Sequence, residues 1–304
     1  MERAVPPDSP RGVTQPRTRG GWGKRLAPYL LSMPAGLWLV LLFIVPLGAM
    51  LVMSLETCSP ATGACVMTWH WGELPSVVSL YRGQFLTSFY FSIAATLVDL
   101  VISFPIAYWI AFHGGRRKNF FLLMLLVPFF VSFIIRTLVW EFVLSNNGVV
   151  LHTLKNFHLL PHGFHVLGTG FAVVAGLAYN YLPFTALPLY VALERIDYRV
   201  LEAAYDLYAT RRAGFMRVIL PLTVPGIFAA FLLTFIPAFG DYVNQQILGG
   251  TANTMIGTVV QNEFLVNLDY AGGASLSAVL LAISLLGIFL YARLLGSRTI
   301  EQYL

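Results

Sequence analysis

Acidic, amide and aromatic residues stand next to one another at three places in this chain, and these are the residue types best suited to bind a charged ligand. They are Trp140 with Glu141, Tyr179 with Asn180, and Asp241 with Tyr242. A carboxylate beside an aromatic ring suits an organic cation, which gains an ion pair and a cation–π contact. The same pairs are also typical of aromatic residues at a membrane surface and of packing hydrogen bonds. The residues alone leave both interpretations open: a path for a substrate cation, or packing.

The sequence carries no residue pattern typical of catalysis or of nucleotide binding. Its apolar blocks contain no Ser/His/Asp arrangement, and the phosphate-binding loop Gly-x-x-x-x-Gly-Lys-Ser/Thr does not occur. His158, His162 and His165 have a spacing that would gather them on one helical face, but no cysteine or carboxylate lies nearby to complete a metal site. We therefore predict no metal, no cofactor and no enzymatic activity in this chain.

The composition is that of a membrane protein. Of the residues, 57% are hydrophobic and 11% are charged, whereas a soluble domain carries about 25% charged residues. The apolar residues gather in blocks of about 20 residues or more, which is long enough to cross a bilayer as helices. The blocks are 29–53, 88–112, 120–144, 168–193, 218–240 and 274–295. The sequence therefore predicts an all-α integral membrane protein with six transmembrane helices.

The positive charges fall almost entirely on one side of these spans. Sixteen of the 19 Lys and Arg residues lie in the N-terminal tail, the second and fourth loops and the C-terminal end. Arg82 and Lys155 lie on the opposite side, and Arg136 lies within a span. Because short cytoplasmic loops collect Lys and Arg, both termini are predicted to be cytoplasmic. The net charge of +5 thus reflects topology, and we expect no nucleic acid as a partner.

Two segments near the N-terminus stand apart from the regular pattern. Residues 1–27 are rich in Pro, Gly and Arg and are predicted to form a disordered cytoplasmic tail, which leaves 28–304 as the transmembrane domain. The first apolar block is about twice as long as the core of a signal peptide, so we interpret it as a permanent helix. The outer loop that follows contains Cys58 and Cys65, which either close a small disulfide or stay unpaired.

Asp99 and Arg136 are ionisable residues in the middle of the second and third apolar blocks. An ionised group at the centre of a bilayer costs about 2.5–3.5 kcal/mol on insertion scales. We therefore expect an ion pair between the two, or pairing with neighbouring helices, in a structural role. Further along, the outer segment 241–273 contains an apolar-rich run from Met255 to Val266 that predicts a short helix. That helix is either a re-entrant gate or a helix at the membrane surface.

The cytoplasmic loop from about 194 to 217 has an amphipathic pattern. Its apolar stripe and its two acidic residues each fall at helical spacing. The stripe is Val200, Ala203, Ala204 and Leu207, and the acidic pair is Glu202 and Asp206. The pattern predicts a short helix parallel to the membrane. By amphipathicity alone, such a helix is an ordinary charged connector.

The order of the residues in this loop is more specific than its amphipathic pattern. Glu202-Ala203-Ala204, followed by Val218-Ile219-Leu220-Pro221, resembles the Glu-Ala-Ala loop of binding-protein-dependent ABC import permeases. Other stretches are similar to the spermidine/putrescine permease group. They are Val127-Pro128-Phe129-Phe130 with Arg136-Thr137, Tyr179-Asn180-Tyr181-Leu182-Pro183-Phe184, and Gly240-Asp241-Tyr242-Val243. The resemblance covers roughly residues 28–300, and Tyr208 departs from it by standing where the family pattern has glycine.

This resemblance implies a type I ABC importer permease fold in a bacterial plasma membrane, with a polyamine moved by alternating access. The residues that would contact a separate ATPase are Glu202, Ala203, Ala204, Asp206, Leu220 and Pro221. The implied partners are a second, different permease, two ATPase subunits that bind ATP and Mg, and an extracytoplasmic substrate-binding protein.

Other interpretations remain open. Permeases for thiamine, iron or aminophosphonate look alike at these motifs, so each is an alternative. An ion-coupled secondary transporter is a further alternative, although the inverted repeat that such proteins often show is not evident in this chain. A membrane scaffold or membrane enzyme would leave the Glu-Ala-Ala loop without an explanation.

Overall fold

The structure is a computed structural model, and it describes residues 32–58, 65–67, 73–157, 161, 163–206 and 210–301. The chain divides into two compact units, Met1–Ala49 and Met50–Leu304, and the packing described below belongs to the second. The predicted tail, residues 1–27, lies outside the described residues, as do His158 and His162. The predicted division into a tail and a domain therefore stays a prediction.

Six helices in the described part of the chain are long and apolar enough to cross a bilayer. They are Ser32–Met53, Arg82–His113, Phe133–Asn156, Gly170–Glu194, Arg212–Phe239 and Tyr270–Leu290. The number of spans is confirmed, and all but the third follow the predicted blocks along most of their length. The prediction of a helical membrane protein is confirmed as well.

The regular elements follow one another along the chain as helices, with one short strand pair. They are α1 (Ser32–Met53), β1 (Glu56–Cys58), β2 (Cys65–Met67), α2 (Glu73–Leu80), α3 (Arg82–His113), α4 (Lys118–Leu126), α5 (Phe133–Leu144), α6 (Val149–Asn156), α7 (Gly170–Glu194), α8 (Tyr198–Asp206), α9 (Arg211–Gly214), α10 (Leu220–Phe239), α11 (Ile256–Leu265) and α12 (Tyr270–Glu301). Short 3₁₀ or π-helical turns connect some of them, at Gly115–Arg117, Val127–Phe130, Phe215–Ile219, Gln245–Gly249 and Thr251–Asn253.

The predicted third block, 120–144, does not form one continuous helix, which corrects that prediction. α4 is followed by a 3₁₀ turn, Val127–Phe130, and then by two extended residues, Val131 and Ser132, with ψ of 142° and 139°. Pro128 explains the break, because proline lacks an amide hydrogen and its ring crowds the preceding helical turn. Irregular backbone at membrane depth is tolerated where it is buried in protein or lines a watery cavity.

The predicted outer loop between the first two spans contains a small antiparallel ribbon. β1 pairs with β2 so that Glu56 lies opposite Met67 and Cys58 lies opposite Cys65. This register brings the backbones of the two cysteines together, as a disulfide-closed turn requires. The side chains of both cysteines lie outside the described ones, so the disulfide stays a prediction. Within the described residues, this ribbon is the regular structure that is not helical.

The core of the second unit is formed by α3, α7 and α10. Small residues let these helices approach closely: Ala107 and Ala230 are buried, and a Cβ added to Gly226 would lie 2.2 Å from the Cβ of Ala192. Lipid tails are as apolar as leucine, so van der Waals contact at small residues is a main source of helix association in membranes.

One face of α3 carries a stripe of small polar residues that the neighbouring helices bury. Ser88, Ser92, Thr96, Asp99 and Ser103 recur every three or four residues, and each has 0% exposure. At one end of the stripe Ser88 Oγ accepts a hydrogen bond from a backbone amide of α11 (2.7 Å). At the other end Ser103 Oγ donates to a backbone carbonyl of α7 (3.5 Å). Polar contacts therefore add to small-residue packing in holding the helices together.

Candidate functional site

A buried hydrogen-bond network joins α5, α7 and the segment that follows α10. Asn180 Nδ2 donates to Thr137 Oγ1 (3.0 Å) and to Asn244 Oδ1 (2.9 Å). Asn244 in turn donates to Asp241 from its backbone amide (2.8 Å) and from its side chain (3.1 Å). Tyr181 Oη donates to the same carboxylate (2.9 Å). The network therefore links three separate elements through buried side chains.

Asp241 and Asn180 do not line an open path in this structure. Asp241 is 6% exposed and Asn180 is 0% exposed. Burial raises the pKa of the Asp241 carboxyl above its ordinary value, and the hydrogen bonds from Asn244 and Tyr181 oppose that rise. The Asp241 carboxylate and the side-chain nitrogen of Asn180 are used by packing hydrogen bonds in this structure, whereas Asn180 Oδ1 has no partner among the described residues, and the pathway role of both residues stays a prediction.

A second cluster, aromatic in character, lies beside the break in the third span. Tyr179 lies 6.3 Å from Phe129 and 5.4 Å from Trp140, measured between ring centroids. Trp140 and Tyr179 keep part of their surface exposed, as does Glu141. Because Tyr179 and Asn180 are neighbours on α7, the aromatic cluster and the buried network lie on adjacent faces of one helix. Trp140, Glu141 and Tyr179 are thus predicted pathway residues whose side chains keep exposed surface.

Arg136 joins the aromatic cluster and does not pair with Asp99. Its Cζ atom lies 4.3 Å from the centroid of the Phe129 ring. Its Nε and Nη1 atoms have no hydrogen-bond partner among the described residues, and neither have the two carboxylate oxygens of Asp99. The expected ion pair is therefore wrong. Within the described residues an ion pair forms instead between Lys118, at the start of α4, and Glu194, at the end of α7.

Tyr242 points to a different place from its neighbour Asp241. It is 42% exposed and lines a crevice of about 620 Å³ between α10, α11 and α12. Gln261 and Phe264 of α11 line the same crevice. The predicted short helix at Met255 to Val266 is confirmed as α11, and it forms one wall of this crevice.

The predicted amphipathic helix of the fourth loop is confirmed as α8. The backbone amide of Arg199 donates to the side chain of Asp197 (3.0 Å), which caps the start of the helix. Glu202, Ala203 and Asp206 are all exposed. Val200, from the predicted apolar stripe, is 45% exposed, so this part of the stripe is not covered by the chain itself.

The remaining residues of the predicted contact lie near α8 in the sequence. The backbone of Ala204 belongs to α8, but its side chain, Leu207 and Tyr208 lie outside what the structure describes. Leu220 and Pro221 begin α10, with Leu220 partly buried and Pro221 exposed. Ile219, one residue earlier, is 1% exposed and packs with Leu189 and Leu193 of α7. The exposed loop is thus continuous with the bundle core.

Comparison with known proteins identifies the family. Residues 103–299 match the family model described as "Binding-protein-dependent transport system inner membrane component". The chain belongs to this family. The amphipathic helix α8, the aromatic cluster and the buried network all lie within the matched residues. The chain is therefore a membrane-spanning transport subunit of a bacterial inner membrane, and not an enzyme.

Individual relatives agree with this assignment. The chain is 36% identical, over 70% of its length and 75% of the relative, to "Spermidine/putrescine transport system permease protein PotB" of Haemophilus influenzae. It is 35% identical, over 70% of its length and 78% of the relative, to the protein of that name in Escherichia coli. A solved bacterial ABC transporter that imports the acidic polysaccharide alginate shares the fold, with a TM-score of 0.63, 17% identity and coverage of 89% of this chain and 97% of that one.

Some residues of the site escaped the sequence analysis. Thr137 joins the buried network and Phe129 contacts the guanidinium of Arg136, but neither was predicted to act as a site residue. The available signal was the rarity of polar residues inside apolar blocks, which favours pairing between them. Which of them meet depends on helix rotation, and the sequence pattern does not specify that rotation.

Proposed function

We propose that this chain is the permease subunit of an ATP-driven importer of polyamines such as spermidine and putrescine. The identity of 35–36% to two permeases named for those substrates, over about three quarters of each, is the observation that carries the proposal. The partly exposed aromatic residues Trp140 and Tyr179 support it, because rings attract ammonium groups. Glu141, beside Trp140, adds a carboxylate of the required charge.

The energy for transport comes from other subunits in this proposal. The partners are a second, different permease, two ATPase subunits that bind ATP and Mg, and a substrate-binding protein outside the membrane. A solved structure that shares the fold is a bacterial alginate transporter in complex with its alginate pentasaccharide-bound periplasmic protein, which supports a similar arrangement (TM-score 0.63, 17% identity). The exposed α8 helix, with Glu202, Ala203 and Asp206, is the proposed contact with an ATPase.

The connection from α8 to the pathway can be followed along the chain. α8 leads through α9 into α10, whose 20 residues span about 30 Å at 1.5 Å per residue. The far end of α10 runs into Asp241, and the buried network joins Asp241 through Asn244 and Asn180 to Thr137 on α5. A displacement of α8 by an ATPase would therefore reach the aromatic cluster on α5 and α7. This mechanical link is what alternating access requires of a permease.

Uptake by the purified complex tests the proposal. The permease, its partner permease and the ATPase subunits would be reconstituted in vesicles with the binding protein and ATP. Spermidine or putrescine should be taken up, and thiamine, ferric iron and aminophosphonate should not compete. Uptake of one of those solutes in place of polyamines would contradict the substrate. Uptake that persists without ATP and follows an ion gradient would contradict the class of transporter.

A further inference from the structure

The guanidinium of Arg136 occupies the kind of site that an organic cation would use. Its Cζ atom lies 4.3 Å from the centroid of Phe129 and 5.7 Å from that of Phe133. Both distances fall within the roughly 6 Å over which the face of a ring attracts a cation. The Phe129 ring stacks in turn with Tyr179, which contacts Trp140. A cationic side chain of the protein itself therefore covers aromatic surface beside the proposed pathway.

This arginine lacks the partners that a purely structural arginine normally has. Its Nε and Nη1 atoms are buried and have no hydrogen-bond acceptor among the described residues. Buried donors of structural side chains are nearly always paired, because an unpaired donor is costly. Among the described ion pairs, none involves Arg136. The ring contacts are thus its main favourable interactions, and another cation could replace it there.

An apolar crevice is lined by two of these rings. Its volume is about 350 Å³, and Phe129 and Tyr179 line it together with Trp109 and Leu182. An alkylammonium ion has a charged group that suits a ring face and a methylene chain that suits an apolar wall. An anion would gain from the guanidinium but nothing from the rings or the crevice. The combination favours an alkylammonium ligand.

We propose that Arg136 is a tethered cation that keeps substrate ammonium groups off the Phe129 ring in this conformation and leaves that ring during transport. The identity of the ligand as a polyamine rests on the proposed function. Two cations about 5 Å apart repel enough, at an effective dielectric constant of about 20, to weaken binding of the second at least tenfold. The break at Val131 and Ser132 lets the first turn of α5, which carries both Phe133 and Arg136, shift relative to Phe129 without disrupting a continuous helix.

Equilibrium binding to the assembled complex tests this role. Tetramethylammonium and radiolabelled spermidine would be titrated, without the binding protein, against wild type, Arg136→Gln, Arg136→Lys and the double variant Arg136→Gln with Phe129→Ala. Arg136→Gln should bind both cations roughly tenfold more tightly. Arg136→Lys, which keeps the charge, should stay near wild type. The double variant should lose the gain, because the ring that binds the cation is gone.

The control variant is Arg117→Gln, which removes the same charge from an exposed position before α4. An equal gain in Arg117→Gln would show a general charge effect and overturn the proposal. Unchanged or weaker binding in Arg136→Gln would overturn it too, the latter favouring an anion site. If Arg136→Gln does not assemble, Arg136→Met keeps the aliphatic stem and serves in the same titration. A wild-type complex that takes up no spermidine would end the polyamine function, whereas the tetramethylammonium titration would still decide the role of Arg136.

Discussion

The carboxylate of Asp241 is surrounded by donors of its own chain, so its chemistry serves the fold. Tyr181 and Asn244 donate to it, and it is 6% exposed. The same residue type next to an aromatic ring would also suit a ligand, and only the partners distinguish the two uses. Asp99 is the opposite example, since it is equally buried but has no partner among the described residues. A buried carboxylate without a partner is costly for the fold.

Removing the Asp241 carboxylate should destabilise the permease. Asp241→Ala leaves the side chain of Asn244 without this acceptor and leaves Tyr181 Oη with only the longer contact to the carbonyl of Pro237 (3.4 Å), at a cost of about 1–3 kcal/mol for an unpaired buried group. Asp241→Asn keeps one acceptor oxygen and should cost less. The midpoint of thermal unfolding of the solubilised permease pair, without the ATPase subunits, measures both. Asp206→Ala, which removes an exposed carboxylate from α8, is the matched control and should change the midpoint little. Equal midpoints for Asp241→Ala and Asp206→Ala would contradict the importance of the network.

At the scale of the elements, α8 and α10 form one continuous connection from the surface to the core. The exposed side chains of α8 are free to contact another subunit, and Ile219 is fixed against α7 immediately before α10 begins. The two prolines inside α10, Pro225 and Pro237, remove internal hydrogen bonds and allow local bending. Movement of α8 is therefore expected to reach the bundle through the first turn of α10.

Reversing the charge at Glu202 should disconnect ATP hydrolysis from transport. Glu202→Lys places a cation at the proposed ATPase contact, where loss of one charged partner costs about 2 kcal/mol or more. Uptake should fall by roughly tenfold or more, whereas ATP hydrolysis should persist or the ATPase should dissociate. Glu202→Gln, which keeps the size and loses the charge, should have a smaller effect. Wild-type uptake in Glu202→Lys, with the complex intact, would show that Glu202 has no role in the contact.

The close approach of α7 and α10 depends on Gly226. A Cβ at this position would lie 2.2 Å from the Cβ of Ala192, so Gly226→Ala should push the helices apart and destabilise the bundle by about 1–3 kcal/mol. Gly287→Ala is the matched control, because nothing lies within 4 Å of a Cβ added on that face of α12. It should leave stability unchanged or raise it by up to about 1 kcal/mol, since alanine favours a helix. Thermal unfolding of the two variants side by side decides between these outcomes.

At the scale of the whole molecule, the distribution of charge predicts an orientation that the fold itself leaves open. The helices cross the membrane equally well in either direction, and the asymmetry of Lys and Arg selects one of them. Cys58 and Cys65 are the two cysteines of the chain, and both belong to the loop predicted to face outward. A thiol reagent that labels the chain therefore reports on this one loop.

Labelling in intact cells tests the orientation. A membrane-impermeant maleimide, applied after mild reduction, should label the wild-type chain from outside. The double variant Cys58→Ser with Cys65→Ser is the control and should not be labelled. Labelling of the wild type only after the membrane is opened would reverse the predicted orientation. Labelling of intact cells that needs no reduction would indicate that the cysteines are unpaired.

The sequence by itself determined the class of protein, the number of spans and the position of the amphipathic helix α8. These depend on local properties: a run of apolar residues long enough for a bilayer, the spacing of an amphipathic helix, and a motif read in order along the loop. Only the tertiary structure decided the partners of Asp241, Asn180 and Arg136, because these depend on how each helix is rotated about its axis. Rotation is set by packing at small residues such as Gly226, and a 100° turn per residue places neighbours such as Tyr179 and Asn180 in different surroundings.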